Sequence, residues 1–184
     1  MKKRVWIFWS LVLYLGLVTA CGAAETAVFT DFQAEVGGVN LSLSYPDTWV
    51  IEATPDTVMI ASDASLLNAG TVTSGAVIFI STLPTSALLT PDLMPLVEAE
   101  LNNLQQQEGL QTREEASTIT INGQEAITAV LDSHTGDTVF YFTLINGDSN
   151  IALILAQTGS ADADTLQPLV EQTINTIQLG NILQ

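Results

Sequence analysis

Residues 41–49 read Leu-Ser-Leu-Ser-Tyr-Pro-Asp-Thr-Trp. In the first five positions, large apolar side chains alternate with serine, and this two-residue period is typical of a strand buried on one face. Pro46 and Asp47 favour a turn directly after it. Trp49 is a large apolar side chain, and we expect it in the core. This stretch therefore predicts a strand and a turn that lead into a packed domain.

Seven apolar runs follow, and they predict further strands. These runs lie at residues 49–51, 58–60, 76–80, 117–121, 125–131, 139–145 and 151–156. Asn122-Gly123 separates two of them and favours a hairpin with a two-residue turn. The last two runs are apolar on both faces, which indicates a sheet that is covered on both sides.

Two segments have the spacing of amphipathic helices. In the first, Thr90 is the predicted N-cap, Pro91 opens the helix and Gly109 ends it. The second helix is predicted to begin within residues 162–165. The two apolar stripes are Leu93, Leu96, Val97, Leu101 and Leu104, and Leu166, Leu169, Val170, Ile174 and Ile177. The predicted fold class is therefore α+β, with an antiparallel sheet sandwiched between helices.

The N-terminus has the three parts of an export signal. Three basic residues, Lys2, Lys3 and Arg4, precede an apolar stretch at residues 5–18, and small residues follow. A membrane-spanning helix needs about 20 apolar residues, and this stretch is shorter. We therefore expect residues 1–20 to be a signal peptide.

Val18-Thr19-Ala20-Cys21 resembles the lipobox of bacterial lipoproteins, in which small residues precede a cysteine that carries diacylglycerol. On this resemblance Cys21 is the lipidated first residue of the mature chain. It is the only cysteine, so it has no intramolecular disulfide partner, and two acyl chains are enough for stable anchoring. The alternatives are a plain secretory signal and an uncleaved signal anchor. The expected location is the cell membrane, lipid-anchored on its extracytoplasmic face.

The expected domain organisation has three parts. Residues 1–20 form the lipoprotein signal peptide, residues 21–38 a lipidated tether, and residues 39–184 one folded domain. The tether is mostly small and polar, but its few apolar residues allow for a docked strand. The mature length is that of a single domain.

The mature chain is strongly acidic. Without residues 1–20 it keeps one basic residue, Arg113, against all twenty acidic residues, which gives a formal net charge of −19. Binding to nucleic acid needs several Lys or Arg contacts with phosphates, so a nucleic acid partner is excluded. The charge suits a tethered domain that stays soluble, a cationic partner or divalent ions. Arg113 lies beside Glu114 and Glu115, and we interpret it as part of a surface ion pair rather than as an anion site.

The sequence contains no recognisable catalytic set. His134 is the only histidine and lies in a predicted turn, whereas nucleophilic hydrolysis needs a base beside the nucleophile. No Gly-x-Ser-x-Gly motif occurs, and the mature chain has no lysine. We therefore assign no catalytic residues and no cofactor.

Polar residues in predicted loops are the remaining candidates for a metal site. Asp132, His134 and Asp137 are candidate loop ligands, although a catalytic zinc needs three fixed ligands. Calcium suits the aspartates in loops or at the helix start, although no EF-hand loop is present; these are Asp132, Asp137, Asp148, Asp162 and Asp164. A hydrated hairpin turn and helix N-terminal charge explain the same residues. We therefore assign no metal ligands.

Residues 41–49 also resemble the opening of PsbP-like domains, in which an alternating strand ends in Tyr-Pro, two small or polar residues and Trp. The order of elements after this motif is similar too, and the likeness covers residues 39–179. The resemblance implies an α/β/α sandwich and a non-enzymatic role, because members of this family act as adapters and assembly factors at larger complexes. The chain departs from the photosystem II member in having almost no basic residues, so docking to that complex does not carry over.

The expected function is a non-enzymatic accessory, scaffold or binding module for a membrane-associated complex. Its expected partners are the membrane, through the lipid on Cys21, and a protein whose identity is unknown. One alternative is a small hydrolase that uses carboxylates or a loop-bound metal. The other is a solute-binding lipoprotein, which the length disfavours because such proteins usually have two lobes around a cleft.

Overall fold

The computed structural model describes residues 27–87 and 92–180. Along these residues the elements follow in the order β1 to β5, α1, β6 to β9, α2 and β10. The strands are β1 Phe29–Val36, β2 Val39–Pro46, β3 Val50–Ala53, β4 Thr57–Ala61, β5 Ala76–Pro84, β6 Gln111–Ile121, β7 Gln124–Asp132, β8 Thr138–Asn146, β9 Asn150–Gly159 and β10 Gln178–Gly180. The helices are α1 Met94–Glu108 and α2 Ala163–Asn175, with short 3-10 helices at Ala64–Asn68 and Thr85–Ala87.

Two antiparallel sheets form the centre of the molecule. The larger has seven strands in the order β3-β4-β5-β9-β8-β7-β6, and the smaller has three in the order β1-β2-β10. Every pair of neighbouring strands runs antiparallel. The seven-stranded sheet confirms the predicted antiparallel arrangement.

Successive side chains along the central strands point to opposite faces of the large sheet, and each face has its own core. In β8, Tyr141 belongs to the core that contains Val170 and Ile174 of α2, together with the small sheet. Its neighbour Phe142 belongs to the core that contains Val97 and Leu101 of α1. We call these the α2 face and the α1 face. The structure therefore confirms the prediction of a sheet covered on both sides by helices.

Helix α1 starts later than the sequence predicts. Its first residue is Met94, and Pro95 lies in the first turn, where proline has no hydrogen bond to lose. The Asp92 carboxylate accepts a hydrogen bond from the Met94 N–H at 3.1 Å. The predicted cap Thr90 and the predicted first residue Pro91 lie outside the described residues. Gly109 has a φ of 68° and ends the helix as predicted.

The Asn122-Gly123 turn joins β6 to β7 as the sequence predicts. Both residues have positive φ, 49° and 80°, as a two-residue hairpin turn of this type requires. The Asn122 amide also donates to the carbonyl oxygens of Asn175 at 3.0 Å and of Ile177 at 2.8 Å. The turn therefore also holds the end of α2, where the last carbonyls have no partner within the helix.

The strands of the small sheet come from both ends of the described chain. β1 pairs with β2 along its full length, so part of the expected tether is a docked strand. β10 pairs with the other edge of β2, and this short strand was not predicted from the sequence. Trp49 is 6% exposed and lies in the core, as expected. Val28, just before β1, is 64% exposed.

Strand β6 is an edge strand with both faces largely exposed to solvent. Its register with β7 shifts twice, between Thr112 and Glu114 and between Glu114 and Ser117. Such irregularities bend a strand and interrupt its hydrogen-bonding row. The charged residues Arg113, Glu114 and Glu115 lie in this irregular part.

No helix within residues 27–87 and 92–180 is both long enough and apolar enough to cross a membrane. The expected signal peptide and the expected lipidation site Cys21 lie outside the described residues.

Candidate functional site

Arg113 and Asp132 form a two-point ion pair on the surface. One Asp132 oxygen lies 2.7 Å from Arg113 Nη2, and the other accepts a hydrogen bond from Nε at 3.0 Å. The interpretation of Arg113 as part of a surface ion pair is correct, but its partner is on the neighbouring strand rather than being an adjacent glutamate. Asp132 is engaged in this contact and is not directed at His134.

The turn at residues 133–137 is held by its own hydrogen bonds. The Thr135 hydroxyl donates to Asp137 Oδ1, and the Ser133 hydroxyl donates to the same oxygen at 2.9 Å. These two hydrogen bonds lower the pKa of Asp137, since they favour the charged carboxylate. His134 is exposed. The arrangement is that of a structured hairpin turn.

Asp162 connects two distant segments. Its Oδ2 accepts hydrogen bonds from the Gly75 N–H and the Ser74 hydroxyl, both at 2.8 Å, and these contacts lower its pKa. Asp164 lies in the first turn of α2, and Asp148 lies in the turn between β8 and β9. Among the described residues, no three His, Cys, Asp or Glu side chains come close enough together to hold a metal ion.

The feature best suited to binding is a cleft of about 460 Å³ on the α1 face of the large sheet. Its floor includes Phe140, Phe142 and Leu155, from the neighbouring strands β8 and β9. The C-terminal half of α1, the 133–135 turn and residues 70–71 form its walls. Pockets that bind small molecules usually measure about 300–1,000 Å³ and are mostly apolar, so this cleft has the size and lining of a ligand site.

The cleft exists because two covering elements stop short of each other. Helix α1 covers β7, β8 and the first half of β9, because Ile151 and Leu153 of β9 belong to the same core. Val72, in the loop before β5, packs with Ala61 and Val77 over the part formed by β4 and β5. The second half of β9 lies between these parts, and its Leu155 is left 37% exposed. An apolar side chain in the middle of a seven-stranded sheet is therefore open to solvent.

Hydrogen bonds fix the loop that forms one wall of the cleft. The buried Thr138 hydroxyl donates to the Val72 carbonyl oxygen at 2.9 Å, and the Gly159 N–H donates to the Gly75 carbonyl oxygen at 3.0 Å. Asp162 holds the same loop at Gly75. Because buried polar groups are expensive to leave unpaired, these bonds resist displacement of the loop. The cleft is therefore preformed.

Gln157 introduces a polar group into the apolar cleft. It lines the cleft beside Phe140, with which it pairs across β8 and β9. Its Oε1 is buried and has no hydrogen-bond partner. Among the described residues, Gln124 Oε1 is also buried without a hydrogen-bond partner, but Gln124 does not line the cleft.

Gln157 and the cleft were not predicted from the sequence. The predicted strand ended at Ala156, whereas β9 continues to Gly159. The available signal was a glutamine that extends a strand of buried apolar residues, where a polar side chain is uncommon. Of the candidate loop ligands Asp132, His134 and Asp137, only His134 lines the cleft. Asp132 pairs with Arg113, and Asp137 accepts hydrogen bonds within its own turn.

Comparison with solved structures identifies the fold. The solution structure of cyanobacterial PsbP (CyanoP) from Synechocystis sp. PCC 6803 matches with a TM-score of 0.55 and 16% identity, over 90% of this chain and 100% of that chain. The Ran-binding protein Mog1p of Saccharomyces cerevisiae matches with a TM-score of 0.53 and 12% identity, over 83% and 96% of the two chains. The chain has the PsbP/Mog1 fold.

A third structure with this fold is LpqN, described as involved in cell envelope biogenesis of Mycobacterium tuberculosis. It matches with a TM-score of 0.56 and 14% identity, over 83% of this chain and 92% of that chain. No family model and no curated protein matches the sequence. The α/β/α fold implied by residues 41–49 is therefore confirmed. The printed descriptions of the three proteins differ in role, so the fold by itself does not assign a function.

Proposed function

We propose that the chain is a lipoprotein, anchored through Cys21 on the extracytoplasmic face of the membrane, that acts as a non-enzymatic binding or accessory module. The observation that carries this proposal is the preformed cleft on the α1 face. It is apolar, and the nearest titratable groups are not arranged as an acid, a base or a nucleophile. Ser133 and His134 lie on its rim, but Ser133 hydrogen-bonds to Asp137 rather than to the imidazole.

The geometry of the N-terminal strand suits a short tether. Only residues 22–28 separate Cys21 from β1, and an extended chain spans at most about 3.3–3.6 Å per residue. The start of β1 would therefore stay within about 29 Å of the lipid anchor. β1 belongs to the layer on the α2 face, so the tether leaves the domain from the side of the large sheet opposite the cleft. This arrangement leaves the cleft accessible to a partner or ligand.

The charge supports the same role. A mature chain with one basic residue and twenty acidic residues is repelled by anionic headgroups, so the lipid and not the protein surface would hold it to the membrane. A partner that docks on the protein would then carry an apolar or cationic surface. Nucleic acid is not a partner in this proposal.

The test compares the full chain with its Cys21→Ala variant, both expressed with the native leader. Mass spectrometry of the N-terminal peptide should show diacylglycerol on Cys21 of the wild type, and only the wild type should sediment with membranes. Affinity capture from gently solubilised native membranes should then recover a protein in near-stoichiometric amount, and Cys21→Ala should lose it. A wild-type chain without lipid, or a capture that is equal for both proteins, would overturn the proposal.

The hydrolase alternative has its own control. Asp132→Ala and His134→Ala remove two polar residues that were candidates for such an enzyme, and neither change touches a buried group. Under the proposal, both variants still bind the captured partner as the wild type does. A substrate that the purified wild type converts, and either variant does not, would establish an enzyme instead.

A further inference from the structure

We infer that the cleft on the α1 face binds a small, neutral, apolar molecule that carries a hydroxyl group, and that the hydroxyl hydrogen-bonds to the side-chain amide of Gln157. This inference deepens the proposed binding function and rests on it. It assigns the ligand class from the shape, charge and polar groups of the cleft.

The apolar part of the ligand follows from the floor of the cleft. Phe140, Phe142 and Leu155 lie side by side on β8 and β9, with Leu104 of α1 on the wall. Leu155 is 37% exposed, although it lies near the middle of the large sheet. Removing apolar surface from water is favourable, roughly in proportion to the area covered. A hydrocarbon chain or ring placed on this floor therefore gains free energy by covering it.

The hydroxyl group follows from Gln157. Its Oε1 is buried without a partner, and leaving a buried polar group unpaired is unfavourable. The last torsion of a glutamine side chain is soft, so the amide can turn towards a group in the cleft without straining the backbone. A hydroxyl can donate its hydrogen to Oε1, which an ether oxygen cannot do.

The expectation that the ligand is neutral follows from the charged residues at the rim of the cleft. Among the described residues that line the cleft, Glu108 is a carboxylate and none is a lysine or arginine. Arg113, the single basic residue of the mature chain, is held by Asp132. A carboxylate ligand would thus enter the cleft with Glu108 at its edge, and among the described lining residues only the exposed imidazole of His134 can become cationic. Without a lysine or arginine to pair with, burying the ligand's charge costs free energy.

The test uses three probes with the same eight-carbon chain: 1-octanol, octyl methyl ether and octanoate. The lipidated full chain is reconstituted in phospholipid nanodiscs, and methyl NMR follows Leu104 and Leu155 during each titration. Empty nanodiscs measured in parallel give the free concentration of each probe. We expect saturable shifts with octanol, and dissociation constants at least about fivefold weaker for the ether and for octanoate, since one hydrogen bond contributes about 1 kcal/mol.

Two glutamine variants isolate the polar contact. Gln157→Leu should bind octanol and the ether equally, because the partner of the hydroxyl is gone. Gln124→Leu removes the other unpartnered glutamine oxygen, outside the cleft, and should keep the preference for octanol. If Gln157→Leu keeps the full preference, or if octanol gives no saturable shift in the wild type, the inference is wrong.

Two leucine variants isolate the location. Leu155→Glu places a charge on the floor of the cleft and should abolish octanol binding, whereas Leu83→Glu changes another exposed leucine, 46% exposed and outside the lining, and should not. The membrane capture described above does not depend on these probes. A Cys21-dependent partner without octanol binding would refute only the ligand class. Octanol binding without lipidation would instead refute the anchored function.

Discussion

The Asp162 carboxylate at the start of α2 accepts a hydrogen bond at 2.8 Å from the backbone N–H of Gly75, directly before β5. The two residues are 87 positions apart in the sequence. The same oxygen accepts the Ser74 hydroxyl. A single side chain thus joins the second helix to the loop that forms one wall of the cleft. Because these bonds favour the charged form, they lower the pKa of Asp162.

This contact predicts a defined response to acid. A carboxylate whose pKa is lowered on folding contributes stability above its unfolded pKa of about 3.9 and loses it as pH falls through the lower folded value. We expect the amides of residues 72–76 to lose hydrogen-exchange protection below about pH 4. Asp162→Asn should show reduced protection of these amides already at pH 7, and a weaker dependence on pH.

Asp164→Asn is the matched control for this prediction. It removes a carboxylate from the same turn of α2, so the loss of charge near the helix N-terminus is similar. The described hydrogen bonds to the loop at residues 74–75 come from Asp162, so protection of residues 72–76 should stay as in the wild type. Equal effects of the two variants would show that the helix charge, and not the loop contact, is responsible.

Gly159 permits the close approach of the same loop. A Cβ added at this position would lie 2.4 Å from the Thr73 carbonyl oxygen, which is backbone and cannot turn away. Gly159→Ala should therefore lower the free energy of unfolding by about 1–3 kcal/mol, the usual cost of overpacking. In Gly70→Ala the new Cβ meets nothing within 4 Å. Urea unfolding should distinguish the two, with no more than about 0.5 kcal/mol lost in the control.

Asn122 has two separable roles in the hairpin turn. Asn122→Gly keeps the positive φ but removes both side-chain hydrogen bonds to the end of α2, and it should cost about 1–2 kcal/mol. Asn122→Ala should cost about 1–2 kcal/mol more, because alanine is strained at positive φ. Urea unfolding of the three proteins measures both steps. Equal stabilities of the Gly and Ala variants would show that the left-handed backbone is not required at this position.

The two helices should contribute separately to stability. Leu101 of α1 is 8% exposed and Ile174 of α2 is 6% exposed, and they belong to different cores. Each change to alanine should cost about 2–5 kcal/mol. Because the cores lie on opposite faces of the sheet, the double variant should show additive losses. Leu83→Ala, at an exposed position, should stay within about 0.5 kcal/mol of the wild type.

The elements predicted from sequence are those whose pattern is local. The alternation in residues 41–45 indicates which side of β2 is buried, and the apolar stripe of α2 indicates which side of that helix packs against the core. The Asn122-Gly123 pair specifies its turn because few residues adopt positive φ at low cost. Each of these patterns is set by the backbone period within about ten residues, so the α/β/α arrangement could be inferred.

The cleft could not be predicted because it depends on where separate segments end in space. Leu155 is exposed only because α1 and the loop around Val72 cover other parts of the sheet. The short strand β10 is similar, since its pairing with β2 depends on α2 returning the chain to the small sheet. Cys21 was identified from a local motif, and its lipidation stays a prediction.

Strand β6 affects how copies of this domain behave when they are crowded. A straight, uncharged sheet edge offers unpaired N–H and C=O groups to the same edge of another copy. Here two register shifts and the charges of Arg113, Glu114 and Glu115 make the exposed edge a poor template for such pairing. Lipid anchoring would confine the protein to two dimensions and raise its local concentration. An edge that resists self-pairing would then keep neighbouring copies from polymerising into fibrils on the membrane.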